Sequence, residues 1–335
     1  MWFKNLQVYR FTKPFSLSAE QLSEKLAENV FTPCGGQDMS RYGWVPPLVK
    51  HGVDFVHAAN GHIMICAKRQ EKILPAAVVN EFVEQQALEL EAKESRQVRR
   101  KERQSLKEEA VFSLLPKAFT KSSLQYAYIS PKEGLLIINA ASSNRAEELM
   151  TCLRDTLGSL PVIPVIAKNT PQVTMTQWIE SGNLPPQFAL GLECELRDTR
   201  DESGVVRCKN QDLLSDEIKA HLKAGMYVSK IELCWEGGVS CLVDDRLAIK
   251  RLRFDDMVQE KALESDAQDA AEQFDVEFVI MTLTLSTFMA SLLGIFGGED
   301  LSQLEQDVIE GGAVEQGSKG TVDVDSPEKE GLAVA

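Results

Sequence analysis

Several short segments of the chain alternate between apolar and polar residues, and this two-residue period predicts β-strands. Residues 2–12 form the first such segment. Residues 54–59 and 62–69 form a pair, and the Asn60-Gly61 dipeptide between them is typical of a tight hairpin turn. Residues 124–130 and 135–140 form a second pair across a short polar turn. Strands that follow one another so closely predict antiparallel sheet.

Short helical segments lie between these strands. Ser18 and Gln21 have the spacing of a capping box and predict a helix that ends near residue 29. Ser142 or Ser143 begins another helix, which Gly158 ends. Residues 31–47 are crowded with Gly, Pro and aromatic residues, so they predict a loop.

Residues 75–115 contain no internal Gly or Pro and consist mostly of good helix formers. Pro75 fits the first turn of a helix, and Pro116 ends the helix because the residue before a proline avoids helical angles. At about 1.5 Å per residue, the segment predicts a single rod of roughly 60 Å. Part of a helix that long is expected to project from the body of the protein.

The second half of the chain begins near residues 168–171 and repeats the same kinds of element. Residues 188–197 and 204–209 predict strands, and residues 226–235, 239–243 and 247–254 predict a three-stranded meander. Helices are predicted at residues 175–181, 215–224, 256–263 and 267–296. The last of these is too often interrupted by Thr and Ser for a membrane span, so we interpret it as a buried helix.

This order of elements predicts an α+β fold with mainly antiparallel sheets and one very long helix, not a doubly wound fold. We expect an N-terminal α+β domain over residues 1–170, from which the helix at 75–115 protrudes. A C-terminal α+β domain is predicted over residues 171–298. Residues 299–335 are predicted to be an acidic and largely disordered tail.

The composition is that of a soluble globular protein, with 44% apolar and 26% charged residues. The formal net charge of −14 nominally argues against a nucleic-acid partner. However, residues 299–330 hold ten acidic and two basic residues, which leaves −6 on the rest of the chain. The seven cysteines are scattered without paired spacing, so we expect reduced thiols and a cytoplasmic location.

Six basic residues within the predicted rod are spaced at three, four and seven positions, which places them on one helical face. Two interpretations stay open: a solvated face with Glu–Lys pairs, or a track for phosphate groups. The six residues are Lys93, Arg96, Arg99, Arg100, Arg103 and Lys107.

The sequence lacks the motifs of the common catalytic and nucleotide-binding sites. Cys34, His57, His62 and Cys66 fit no standard zinc spacing, and Cys34 has no base placed to activate it. The acidic pairs at residues 244–245 and 255–256 lie where turn and cap residues are ordinary. We therefore expect no catalytic residues, no metal and no cofactor.

Five blocks of sequence stand out in order: WFKNLQVYRF, FTPCGGQDMSRYGWVPP, HAANGHIMICAKRQEKILP, SLLPKAFTKSS and LGSLPVIPV. Together they resemble the RdgC family of recombination-associated proteins over about residues 1–298. The resemblance implies a horseshoe-shaped protomer that closes into a ring homodimer with a positively lined hole. It also implies a non-enzymatic protein that binds double- and single-stranded DNA without strong sequence preference and limits RecA. A nucleoid-associated location follows from that role.

Site residues follow from the same resemblance. Phe119 corresponds to a dimer contact, although a core position is the alternative. A basic finger corresponds to Arg207, Lys209 and Gln211, with Asn210 where a second lysine is common. The family's basic helix corresponds to the six cations of the predicted rod.

Two rival functions stay open at this stage. In the first, the long helix docks on a recombination protein and DNA binding is secondary, so affinity for DNA would barely depend on salt. In the second, the protein is a DNA enzyme that turns over substrate with a divalent cation.

Overall fold

Two antiparallel sheets form the framework of the computed structural model, which describes residues 1–48, 52–200, 204–263, 267, 269–302 and 304. The first sheet has the strand order β2-β4-β5-β6-β1-β7, with β3 also paired to β4. Its strands are β1 (Gln7–Phe11), β2 (Ser40–Val45), β3 (Val56–Ala59), β4 (His62–Ile73), β5 (Phe119–Ser130), β6 (Leu135–Ile138) and β7 (Val162–Pro164).

The second sheet has the strand order β12-β11-β10-β8-β9. It consists of β8 (Phe188–Asp198), β9 (Val205–Cys208), β10 (Met226–Trp235), β11 (Val239–Asp244) and β12 (Ile249–Phe254). All strand pairs in both sheets are antiparallel. The predicted α+β class with antiparallel sheets is therefore confirmed.

The helices lie between and beside the strands. They are α1 (Ala19–Leu26), α2 (Ala76–Glu94), α3 (Arg100–Leu114), α4 (Ser143–Leu157), α5 (Pro171–Ser181), α6 (Asp216–Lys223), α7 (Asp256–Leu263) and α8 (Ala270–Ile295). The capping box at α1 is confirmed, because the Gln21 N–H donates to the Ser18 hydroxyl and the Ser18 N–H donates to Gln21 Oε1.

The long pairing between β4 and β5 runs from Ile63 opposite Ile129 to Ile73 opposite Phe119. One half of this ladder, near Ile63 and Ile129, is buried in the core. The other half reaches outward, so that Ile73 and Phe119 are exposed. The helices α2 and α3 connect the two outer ends, which makes them an insertion at the end of this β4–β5 ribbon, which β2 flanks as far as Glu71.

The prediction of one rod over residues 75–115 is wrong. The chain turns back after Ser95, whose φ of 51° is left-handed, and α3 packs against α2 as a helical hairpin. Val79, Val83 and Ala110 are buried between the two helices, and a straight rod would leave all three in water. The connection is fixed by Glu91, whose Oε1 accepts a hydrogen bond from the Val98 N–H at 2.9 Å.

The loop predicted for residues 31–47 contains the strand β2. Trp44 of this strand is fully buried, and its Nε1 donates to Thr156 Oγ1 at 2.9 Å. Gly43 is required here, because a Cβ at this position would lie 2.6 Å from the Phe31 Cα. Glycine thus permits the close backbone approach in which the Phe31 N–H donates to the Trp44 carbonyl.

One hydrophobic core joins parts of both sheets to α8 within the compact unit Met1–Glu299. Tyr128 of β5, Ile231 of β10 and Phe278 of α8 all belong to it. Leu6 links the sheets directly, because its N–H donates to the Ile249 carbonyl at 2.8 Å and its carbonyl accepts in return at 3.0 Å. The domain boundary near residue 170 stays a prediction, and the tail from residue 305 lies outside the described residues.

Within the described ranges, α8 is the one helix long and apolar enough to cross a membrane by length and composition. One face of α8 is part of the core, as expected for a buried helix. Phe288 on that face is fully buried, with its ring centroid 6.5 Å from Phe188 and 5.7 Å from Trp235. Aromatic contacts of this kind fix α8 against the second sheet.

Replacing Phe288 with alanine should remove this anchor. We expect the free energy of unfolding to fall by about 3–5 kcal/mol, because the cavity cannot fully collapse. Denaturant unfolding measures the change, with Leu283→Ala as control, since Leu283 lies on the same helix with 50% of its surface exposed. Equal losses in the two variants would contradict the placement of α8.

Candidate nucleic-acid interface

The six cations predicted on one helical face are distributed over both helices and their connection. Lys93 lies in the last turn of α2, and Arg96 and Arg99 lie in the connection. Arg100, Arg103 and Lys107 lie on α3. The single continuous face is therefore a wrong prediction, because it depended on an unbroken helix.

The cations of α3 line a cleft of about 450 Å³ between the two helices. Arg103 in this cleft forms an ion pair with Glu84 of α2. Arg100 and Lys107 also line it, and neither has a carboxylate within salt-bridge distance in the described part of the chain. The cleft therefore presents two cationic groups that are free to meet an anion.

Arg96 is held by carboxylates instead. It contacts Glu94 and Glu102 at 2.6 Å each, and the Arg99 N–H also donates to Glu102 at 2.8 Å. The hydrogen bond from Arg96, followed by that from Arg99, lowers the pKa of Glu102 to about 2. Arg96 thus stabilises the turn between the helices, which matches the interpretation as Glu–cation pairs rather than the phosphate track.

The predicted basic finger begins in β9, the edge strand of the second sheet, and continues into the residues after it. Arg207 lies in β9 with 68% of its side chain exposed. Lys209 and Gln211 follow, and the backbone of Gln211 is fixed by an N–H donated to the Leu192 carbonyl at 3.2 Å. Asn210 between them has a left-handed φ of 51°, a conformation that asparagine tolerates better than lysine.

Strand register brings further cations beside the finger, around a cavity of about 370 Å³. Five basic side chains line this cavity against the two carboxylates of Glu193 and Glu195. We call these five the sheet cluster: Arg207, Lys209, Lys230, Lys250 and Arg251.

The centre of the sheet cluster is the buried carboxylate of Glu195, which is only 6% exposed. Its Oε2 accepts from Arg207 at 2.9 Å, and its Oε1 accepts from Lys230 at 2.7 Å. Arg197 is a third partner at 3.2 Å. Burial alone would raise the pKa of Glu195, but these hydrogen bonds outweigh it and lower the pKa to about 2.

Ion pairs also position Lys250 and Arg251 of the cluster. Lys250 Nζ lies 2.9 Å from Asp244, whose other oxygen accepts the Ala248 N–H and so closes the turn before β12. Arg251 contacts Glu193 at 2.6 Å. Carboxylates thus hold four of the five cations in place, and the lining of the cavity has a net positive charge.

Sequence reasoning missed Lys230, Lys250 and Arg251. Lys230 lies on β10 and the other two lie on β12, so spacing along the chain does not place them beside Arg207 and Lys209 of the predicted finger. One signal in the sequence was alternation, since Lys230 on β10 lies between two buried residues, Ser229 and Ile231.

Phe119 is 84% exposed at the outer end of the β4–β5 ribbon. Its paired neighbour Ile73 is also exposed, at 47%. The alternative that Phe119 is a core residue is therefore wrong for the protomer. Two adjacent exposed apolar side chains are typical of an interaction site.

The two histidines considered for metal binding pack against aromatic rings. His57 packs edge-on against Phe274 and Phe278, and His62 packs edge-on against Tyr128. Over the residues that the structure describes, no three His, Cys, Asp or Glu side chains lie together as metal ligands would.

Comparison with known proteins supplies the family. A family model described as "Putative exonuclease, RdgC" matches residues 1–299. The recombination-associated protein RdgC of Aeromonas hydrophila is 44% identical over 302 residues, covering 90% of this chain and all of the relative. The protein of the same name from Tolumonas auensis is 43% identical over 299 residues, covering 89% of this chain and 99% of the relative. The chain belongs to the RdgC family.

The RdgC match ends at residue 299, where the compact unit Met1–Glu299 also ends. The sheet cluster, the helical cleft between α2 and α3, and Phe119 all lie inside the matched region. The acidic tail follows this region in the sequence, so most of its negative charge falls outside the RdgC match.

The network around Glu195 makes a pH-dependent prediction. A carboxylate with a depressed pKa stabilises the fold above its ordinary pKa of 4.5, and that contribution is lost as the pH falls towards about 2. Glu195→Gln should therefore lower the melting temperature at pH 7 by on the order of 5 °C. The difference from wild type should shrink below pH 4, measured by thermal unfolding across pH.

The matched control for this prediction is Glu94→Gln, because Glu94 is 41% exposed and pairs only at the surface. Exposed ion pairs contribute little, so its melting temperature should stay near wild type. A gap for Glu195→Gln that stays constant across pH would contradict the ionic role of Glu195.

Proposed function

We propose that this RdgC-family protein binds DNA without strong sequence preference and without catalysis. In the proposal it closes as a ring homodimer around duplex DNA, also binds single-stranded DNA, and limits RecA action during recombination and replication-fork repair. It acts in the cytoplasm on the nucleoid. The relatives named recombination-associated protein support the process, and the cationic clusters support the mode of contact.

The observation that carries the proposal is the sheet cluster. Five cations face two carboxylates around one cavity in a chain of net charge −14, so positive charge is concentrated locally. Charges beyond about 8 Å are largely screened at physiological salt, and a phosphate therefore responds to this surface more than to the total charge.

The chemistry of such contacts explains the weak selectivity. Lysine and arginine side chains that neutralise phosphates release condensed counterions, and phosphates carry no base identity. Arginine adds bidentate hydrogen bonds to phosphate oxygens. Affinity from this source falls steeply as the salt concentration rises, in contrast to docking on a protein partner.

The exposed apolar end of the β4–β5 ribbon supports the proposed ring closure. A two-fold dimer that closes at two interfaces, with Phe119 buried at one of them, would present the sheet cluster and the helical cleft twice around the bound polyanion. DNA covered in this way is less available for growth of a RecA filament. Limitation of RecA then needs no direct contact with RecA.

Neutralising part of the sheet cluster should weaken DNA binding. For Lys209→Gln with Lys250→Gln, we expect about tenfold lower affinity at moderate salt. The slope of log affinity against log salt should become shallower by about one for each lost phosphate contact. Fluorescence anisotropy with duplexes of unrelated sequence measures both quantities.

The control variant is Lys13→Gln with Lys223→Gln, two exposed lysines outside both clusters. Its DNA affinity and salt slope should match those of wild type. A separate variant, Arg100→Gln with Lys107→Gln, tests the helical cleft. Unchanged affinity and slope in both cluster variants would reject the proposal. Incubation of the same DNA with magnesium should leave it intact, and its degradation would favour an exonuclease.

Phe119→Asp should separate the protomers without unfolding them. Because Phe119 is 84% exposed, the protomer loses little, but a charge at a closed apolar contact prevents dimerisation. Sedimentation velocity should show a monomer, with Val53→Asp at an 87% exposed position remaining a dimer. Wild type should resist salt better on closed circular DNA than on linear DNA, and the variant should lose that difference.

A further inference from the structure

Two cysteines occupy directly opposed positions on the last two strands of the second sheet. Cys194 of β8 pairs with Cys208 of β9 in the antiparallel register. Side chains at paired positions lie on the same face of a sheet, so the two thiols point the same way. Both residues pack in the core that joins the second sheet to α8.

The spacing of an antiparallel pair suits a disulfide bond. Directly opposed Cα atoms lie about 4.5 or 5.5 Å apart, depending on the hydrogen-bonding pattern of the pair. Both values fall within the roughly 4.4–6.8 Å that disulfides span. A bond between these two sulfur atoms therefore requires little movement of the backbone.

The surroundings of the two thiols differ. Cys194 is 3% exposed, whereas Cys208 is half-buried on β9, the edge strand of the sheet. Burial, with a smaller effect from the neighbouring Cys208 thiol to which it is hydrogen-bonded, raises the pKa of Cys194 to about 12. Cys208 is thus the accessible thiol of the pair, and Cys194 is the buried thiol beside it.

No other two of the seven cysteines, all of which lie in the described ranges, occupy paired positions. Cys234 and Cys241 lie on neighbouring strands, but Cys234 pairs with Ser240 and Cys241 pairs with Leu233. One residue out of register, they point to opposite faces: Cys241 is buried and Cys234 is exposed. This second pair provides an internal control.

We propose that Cys194 and Cys208 form a reversible cross-strand disulfide when the protein meets hydrogen peroxide. The Cys208 thiolate attacks the peroxide, its O–O bond breaks, and a sulfenic acid forms on Cys208 with release of water. The Cys194 sulfur then displaces the sulfenic hydroxyl as a second water. For hydrogen peroxide, two thiols are oxidised to one disulfide and one peroxide is reduced to two waters.

The bond would fix the edge strand to its neighbour. Arg207 precedes Cys208 and Lys209 follows it, so the disulfide ties the outer part of the sheet cluster to β8. The inference goes beyond the proposed function and does not depend on it, because the bond can be detected with no DNA present.

The test uses the purified full-length chain, with and without hydrogen peroxide. Remaining thiols are alkylated after unfolding, and intact mass is measured before peptide mapping. Reduced protein should take seven alkyl groups, and oxidised protein should take five, with one cross-linked peptide pair containing Cys194 and Cys208. A reductant should restore all seven.

Variants distinguish this pair from its neighbours. Cys208→Ser should abolish the cross-link, while Cys234→Ser, at an exposed cysteine of the same sheet, should leave it unchanged. The disulfide closes a loop of about 15 residues, so the melting temperature of the oxidised wild type should rise by several degrees. Seven free thiols after peroxide, a sulfinic acid on Cys208, or a link between other cysteines would overturn the proposal.

Discussion

The pairing of β4 with β5 is the constraint on which the rest of the first sheet depends. The inner half of this ladder supplies Ile65, Ala67 and Ala127 to the core, and the outer half leaves the core as a ribbon. The ribbon determines where the helical hairpin begins and ends, since α2 follows β4 and α3 precedes β5. A change of register by one residue would exchange the buried and exposed faces of both strands at once.

Side-chain hydrogen bonds fasten the helical hairpin to this ribbon. Lys72 on β4 donates from its Nζ to the Leu115 carbonyl at 2.8 Å and to the Gly36 carbonyl at 3.1 Å. These bonds join the ribbon, the end of α3 and the chain before β2. The hairpin itself has a small core of three buried residues, so its orientation depends on such attachments more than on apolar area.

Elements whose formation depends on neighbours in sequence could be predicted. The turn at Asn60 and Gly61 needs two left-handed residues, and the structure has φ values of 48° and 78° there. The capping box at Ser18 is equally local. By contrast, the break at Ser95 is not encoded by a glycine or proline, and it forms because it allows Val79 and Val83 to be buried against α3.

In the candidate site, too, local features could be predicted from the sequence and tertiary contacts could not. The basic residues near α3 and β9 could be recognised from the sequence, but their partners could not. Whether an arginine is free or neutralised depends on carboxylates such as Glu84 and Glu102, which the fold brings within reach. The sheet cluster was missed because its members come from β9, β10, β12 and the residue after β9, which come together only once the sheet has formed.

Buried carboxylates give the sheet cluster its distinctive physical character. Glu195 removes one positive charge from the surface, but it holds Arg207 and Lys230 in fixed positions. Cations that are already ordered lose less conformational entropy when an anion binds than long side chains free in water do. The cluster therefore has a smaller net charge, but its paired cations are already ordered before an anion binds. Arg100 and Lys107 of the helical cleft have no carboxylate partner among the described residues, so their charge is not neutralised. These two side chains become ordered only when the ligand binds.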